Sequence, residues 1–134
     1  MITLEHTISI DASPAAVFEM WTTADGLSAW WGRAIEVDPR PGGAIHIEVD
    51  AGHVMRGAFV ELVEPRLVVF TFGWEGHELA PGSSTVEVRI EPGDGTTTLT
   101  LRHTGLPIAL IESHARGWTH FLGDRLAGTV AAWG

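Results

Sequence analysis

Residues 108–131 read IALIESHARGWTHFLGDRLAGTVA. Apolar side chains recur in this segment every three or four residues, which is the spacing of one face of an α-helix. They are Ile111, Ala115, Trp118, Leu122, Leu126 and Val130. A helix of some 24 residues would be about 36 Å long. The pattern therefore predicts a long C-terminal helix with one apolar face. Gly117, beside Trp118, is expected to let the backbone of this helix approach the sheet closely.

The segments before this helix follow the two-residue period of β-strands and are separated by turn-forming Pro, Gly and Asp residues. A first strand is predicted at Thr3–Ile10. The further predicted strands are Ala34–Asp38, Ala44–Asp50, His53–Val63, Leu67–Glu75, Thr85–Glu91 and Thr96–His103. Short turns between successive strands predict hairpins, so we expect an antiparallel sheet.

Two short helices are predicted between the first and second strands. Ser13 is an N-cap candidate followed by a proline, and helical spacing extends over Pro14–Trp21. Thr23 can cap a second helix over Ala24–Trp30. The predicted fold class is therefore α+β: a curved antiparallel sheet of about seven strands, two short helices after strand one, and the C-terminal helix over the concave face.

Composition limits the classes of function. The chain has 134 residues, which suits a single domain over 1–134. Its formal charge of −9 disfavours nucleic acid and anionic membrane surfaces as partners. The sequence has no apparent secretory leader, no spanning segment and no cysteine, so a soluble cytoplasmic protein is expected.

Several residue types are absent, and this excludes several chemistries. All eight basic residues are Arg, and the chain has no Lys, Cys, Tyr, Asn or Gln, which removes Schiff-base and thiolate catalysis. The seven His match no zinc-binding spacing, so neither a metal nor a cofactor is expected. No Gly-x-Ser-x-Gly motif is present, and the adjacent Ser113 and His114 are expected to point apart on the helix.

Short motifs occur in one order along nearly the whole chain. They include Ile10-Asp-Ala-Ser-Pro14, Trp30-Trp31-Gly32, Pro41-Gly-Gly43, Glu64-Pro-Arg-Leu-Val68, Thr97-Thr-Leu-Thr-Leu101 and Gly117-Trp118. As an ordered set they resemble the homologues of the activator of the 90-kDa heat-shock protein ATPase, in the START-like, birch-pollen-allergen-like or SRPBCC superfamily. The resemblance implies the helix-grip fold. It leaves the function open, because the superfamily includes ligand-binding proteins, chaperone-activator domains and relatives of polyketide cyclases.

Aromatic residues are the first candidates for a binding site. Phe70, Phe72 and Trp74 alternate along one strand and share one of its faces, which fits either a core or a pocket wall. Trp30 and Trp31 are consecutive at a helix end, so we expect one to pack in the core and the other to border a cavity.

Two histidines are the polar candidates. His103 continues the inward period of Leu99 and Leu101, and His114 lies near Ile111 and Trp118 on the last helix. An inward imidazole could orient a ligand or act as a general base. The alternative is a buried histidine with satisfied hydrogen bonds.

The leading hypothesis is a domain that binds an apolar or aromatic small molecule between the sheet and the C-terminal helix. The predicted ligand-binding residues are Trp31, Phe72, Trp74, His103, His114 and Trp118. One alternative is a cyclase-like or hydrolase enzyme with a cavity histidine as base, although no catalytic residue is assigned. Another is a module that stimulates a chaperone ATPase, which is less favoured because the chain corresponds to the C-terminal module of such activators alone. A homodimer is left open.

Overall fold

The structure is a computed structural model that describes residues 3–132, and it has the predicted α+β helix-grip architecture. Within these residues, seven strands form one sheet. They are β1 (Leu4–Ile10), β2 (Arg33–Val37), β3 (Ala44–Asp50), β4 (His53–Val63), β5 (Leu67–Phe72), β6 (Ser84–Pro92) and β7 (Thr97–Thr104). Every neighbouring pair is antiparallel, and the order is β1-β7-β6-β5-β4-β3-β2. The predicted chain of hairpins is thereby confirmed.

The two predicted short helices are present as α1 (Pro14–Thr22) and α2 (Ala24–Trp30). The Ser13 hydroxyl accepts a hydrogen bond from the Ala16 amide at 3.2 Å, and Thr23 caps α2 in the same way. These caps satisfy amide groups that have no partner within the helix, which is why each helix begins where the sequence places a hydroxyl residue.

The C-terminal helix runs without a break from Ile108 to Ala131 but is not α-helical throughout. It consists of α3 (Ile108–Trp118), a π-helical segment (Thr119–Leu126) and α4 (Ala127–Ala131). A regular α-helix was predicted, and that is wrong over the π-helical segment. Apolar residues from Trp118 onward are four apart, which exceeds the 3.6-residue α-helical turn. The wider π-helical turn keeps the apolar face on the sheet, with Leu122 and Leu126 fully buried.

Strand β5 ends at Phe72, three residues before the predicted end. The chain then folds back, and the Trp74 amide donates a hydrogen bond to the Leu79 carbonyl at 2.7 Å. Gly73 fits tightly against the Ala80 backbone, where a Cβ atom would clash. This turn brings Trp74 and Leu79 toward the C-terminal helix.

Of two local expectations, one is confirmed and one is wrong. Trp30 packs in the core at 0% exposure, and Trp31, at 3% exposure, stacks on it with ring centroids 5.3 Å apart and also borders a cavity, as predicted. Gly117 does not serve a close approach, because a Cβ atom built there would meet no heavy atom within 4 Å. The space beside Gly117 belongs instead to a cavity.

Candidate functional site

A cavity of about 320 Å³ opens between the end of β5, the turn after it and the C-terminal helix. Its wall is mainly aromatic and apolar, and several of its polar residues are exposed to solvent. The apolar lining residues are Trp31, Phe72, Trp74, Leu79, Leu110, Trp118 and Phe121. The remaining lining residues are His53, His77, Glu78, Ser113, His114 and Gly117. The volume lies at the lower end of the range typical of small-molecule sites.

The aromatic wall is a packed cluster of rings from three parts of the chain. Trp31 follows α2, Phe72 ends β5 and Trp118 ends α3. The Trp31 ring is nearly parallel to that of Phe72, at 6.2 Å and 13°, and lies 5.5 Å from that of Trp118. Trp74 meets Phe72 edge to face at 5.1 Å. Such contacts stabilise aromatic pairs beyond their buried area, so this wall is held in shape by its own packing.

His103 holds the Trp118 indole in place. The Trp118 Nε1–H donates to His103 Nδ1 at 3.1 Å. On the other side, Ser84 donates its hydroxyl hydrogen to the Phe72 carbonyl at 2.7 Å, so its oxygen accepts from His103 Nε2–H at 2.9 Å. Both ring nitrogens are therefore satisfied, and the imidazole is neutral with its proton on Nε2.

The environment of His103 opposes its protonation. The side chain is fully buried, and the His114 ring lies 5.8 Å away. Burial, and then the nearby His114, lower the pKa of His103 to about 3. A proton on Nδ1 would also displace the Trp118 hydrogen bond. His103 is a neutral structural acceptor near neutral pH.

His114 holds Trp74 by a second indole–imidazole pair. The Trp74 Nε1–H donates to His114 Nε2 at 3.0 Å. His114 Nδ1 lies 2.8 Å from the Leu110 carbonyl, which can only accept, so Nδ1 carries the hydrogen. This imidazole is also neutral, and its single lone pair is already engaged.

Ser113 and His114 do not point apart, contrary to the expectation. Ser113 Oγ lies 3.3 Å from His114 Nδ1, because both side chains turn back toward the Leu110 carbonyl. Since Nδ1 carries a hydrogen, it cannot accept the hydroxyl proton. The pair therefore lacks the nucleophile-to-base geometry that activates a serine.

Five of the six predicted site residues line the cavity: Trp31, Phe72, Trp74, His114 and Trp118. His103 does not line it and lies behind Trp118, consistent with the alternative of a satisfied buried histidine. In the structure, the two histidines contact the tryptophan walls through their ring nitrogens.

Sequence reasoning missed the residues where the cavity meets solvent. His53 and His77 stack in parallel at 5.0 Å, and the His53 ring also meets Trp74 edge to face. His53 Nδ1 pairs with Asp50 Oδ1 at 2.8 Å, and His77 Nε2–H donates to the Gly52 carbonyl at 2.8 Å. The hydrogen bond from His53, and then that from the Gly52 amide, lower the pKa of Asp50.

A helical period could have identified part of the missed lining. Leu110, His114, Gly117 and Phe121 are separated by four, three and four residues and form a face beside the core face of the helix. The residues in turns, such as His77 and Glu78, follow no period that would reveal them.

A second depression lies beside α1 and is larger, at about 730 Å³. It is lined by Ala15, Ala16, Phe18, Glu19, Thr22, Thr23, Pro39, Leu62 and Glu64. Among the residues of 3–132 that line it, Phe18 is the one aromatic residue and is itself buried in the core. We favour the smaller cavity as the site because ligand pockets combine apolar walls with a few polar groups.

Within residues 3–132, no three His, Cys, Asp or Glu side chains are grouped so that they could hold a metal ion. Each helix in the same part of the chain is too short or too polar to cross a lipid bilayer.

The chain matches the family described as "Activator of Hsp90 ATPase homolog 1-like protein" over residues 11–131. It belongs to this family. Among solved structures, the AHSA1-like protein RHE_CH02687 of Rhizobium etli is 37% identical to this member, with 98% of this chain and 82% of that chain covered and a TM-score of 0.76. No curated protein matches the chain.

Two more distant structures show that the fold extends beyond clear sequence identity. Protein CV1439 from Chromobacterium violaceum is 24% identical, with 96% of each chain covered and a TM-score of 0.84. The Aha1 dimer from Colwellia psychrerythraea is 21% identical, with 98% of each chain covered and a TM-score of 0.83. At these sequence identities, the similarity is evidence for the fold alone.

Proposed function

We propose that this protein binds an apolar or aromatic small molecule in the cavity between the sheet and the C-terminal helix. The observation that carries the proposal is the aromatic wall around about 320 Å³ of space, formed by Trp31, Phe72, Trp74, Trp118 and Phe121. Removing a ligand's apolar surface from water against such a wall supplies the free energy of binding.

The hydrogen bonds behind the wall support the proposal. Trp118 is held by His103, and Trp74 is held by His114. An indole that is already fixed loses little conformational freedom when a ligand arrives, and preorganisation of this kind favours affinity.

Binding is favoured over catalysis by the state of the two histidines. A general base needs a free lone pair within reach of the substrate. The His114 lone pair accepts from Trp74, and the His103 lone pair accepts from Trp118. A cyclase or hydrolase that used either imidazole as its base would first have to break an indole hydrogen bond.

The remaining partner hypotheses stay predictions. A homodimer and a chaperone partner are compatible with the proposal, and neither is required by it.

Gly117→Leu is expected to weaken ligand binding without destabilising the fold. The new side chain would project into the cavity, since no heavy atom lies within 4 Å of a Cβ built there. Overpacking a filled site costs about 1–3 kcal/mol, so binding of the neutral fluorescent dye N-phenyl-1-naphthylamine should weaken about 5- to 150-fold. The measurement is a fluorescence titration, which should give one site per wild-type chain.

Gly128→Leu is the matched control. Gly128 is an exposed glycine on the same helix, also with no heavy atom within 4 Å of its Cβ position, and it does not line the cavity. Both variants replace a helical glycine and should retain or slightly raise the melting temperature. Equal dye affinity in both variants, at the wild-type value, would rule out this cavity as the site.

A further inference from the structure

We infer that the ligand of this cavity carries a positive charge, as a tertiary or quaternary amine attached to an aromatic or branched-alkyl group. The inference rests on the proposed function and adds the chemical class of the ligand. The orientation of the indoles and the charges at the opening of the cavity both favour such a ligand.

Two of the three indoles that line the cavity offer a ligand no hydrogen-bond donor. The N–H of Trp74 points to His114 and that of Trp118 points to His103, so neither is available to a ligand. These two indoles present only ring surface to a ligand, and the faces of aromatic rings carry negative charge density. A wall of several aromatic rings attracts a weakly hydrated cation such as a quaternary ammonium group.

The charged residues at the opening of the cavity also favour a cationic ligand. Glu78 lines the cavity, whereas none of the eight Arg residues does. Among the ion pairs within residues 3–132, none involves Glu78, while nearby Glu75 is paired with Arg56 at 2.7 Å. The Glu78 carboxylate is thus available to a ligand cation.

An anionic ligand would find no matching charge here. A carboxylate or phosphate would meet Glu78 at the opening and a chain with a formal charge of −9. The other titratable groups lining the cavity are His53, His77 and His114. Each of these imidazoles already has a hydrogen-bond partner: Asp50 for His53, the Gly52 carbonyl for His77, and Trp74 and the Leu110 carbonyl for His114. Charge complementarity therefore favours a cation over an anion.

The test compares three probes of similar shape as competitors of the bound dye at pH 8 and low salt. Phenyltrimethylammonium is a cation, tert-butylbenzene is its neutral isostere, and benzenesulfonate is an anion. Cation–aromatic attraction in a desolvated site predicts that the cation binds about 5- to 30-fold more tightly than the neutral isostere. Benzenesulfonate should be the weakest competitor.

Glu78→Gln is expected to reduce the preference for the cation, with Glu91→Gln as the control. Glu91 is an exposed carboxylate on β6 that does not line the cavity, so its variant changes the net charge equally. The preference should fall in the Glu78 variant only.

Equal affinity for the cation and its neutral isostere would overturn the inference and leave the proposed function standing, as would displacement of the dye by none of the probes. An equal loss of preference in both variants would also overturn it, because the effect would then be one of net charge. Failure of the dye itself to bind would instead reject the proposed function.

Discussion

Trp118→Ala is expected to lower the free energy of unfolding by about 3–5 kcal/mol, the range for truncating a large aromatic residue in a packed core. The Trp118 side chain is only 3% exposed and contacts the rings of Trp21, Trp31 and Phe72. Its removal would also leave buried His103 Nδ1 without a donor. The measurement is equilibrium unfolding in urea near neutral pH.

Trp118→Phe separates the two contributions. The phenyl ring keeps much of the aromatic contact but cannot donate to His103, and an unsatisfied buried acceptor costs about 1–3 kcal/mol. We expect this variant to lie between the wild type and Trp118→Ala. A loss below about 0.5 kcal/mol for Trp118→Ala, typical of a surface site, would contradict the placement of this indole.

Acidification is expected to remove stability through His103. Its pKa is about 3 in the folded protein against 6.5 for an ordinary histidine, so the unfolded chain binds the additional proton between these values. The stability from neutral His103 is therefore complete above about pH 6.5 and is lost as the pH falls toward 3. The loss from this one residue approaches about 1.4 kcal/mol per pH unit within the window.

His103→Asn is the control for this pH dependence. An amide can accept from Trp118 and donate to Ser84 without titrating in this range. Other groups contribute equally to the pH dependence of both proteins. Between pH 6 and 4, the free energy of unfolding of the wild type should therefore fall more steeply than that of His103→Asn. The difference in slope should correspond to the uptake of about one additional proton on unfolding. Equal slopes, or an NMR signal of the wild-type His103 ring that titrates near pH 6.5, would contradict the assignment.

The elements of the fold could be predicted from the sequence because they depend on local periods. The apolar face of residues 108–131 and the alternation along β3 and β4 identify their elements directly. The π-helical segment was missed because apolar residues spaced four apart are also compatible with an α-helix. Only the packing of these residues against the sheet distinguishes the two kinds of helix. The end of β5 depends on a turn at Gly73 that packs against a later part of the chain.

The candidate site could be predicted only in part. Inward periods identified Phe72 and Trp118 as wall residues. The pairing of His103 with Trp118 and of His114 with Trp74 joins distant parts of the chain, and no local pattern records which nitrogen meets which indole. Those pairings changed the interpretation of both histidines from ligand contacts to supports of the wall.

The most direct test of the central claim is the pattern of intermolecular NOEs between bound N-phenyl-1-naphthylamine and the protein. We expect NOEs from the dye to ring protons of Trp31, Phe72 and Trp118, which line the aromatic cavity. NOEs confined to Phe18 and Leu62, in the larger depression beside α1, would contradict it.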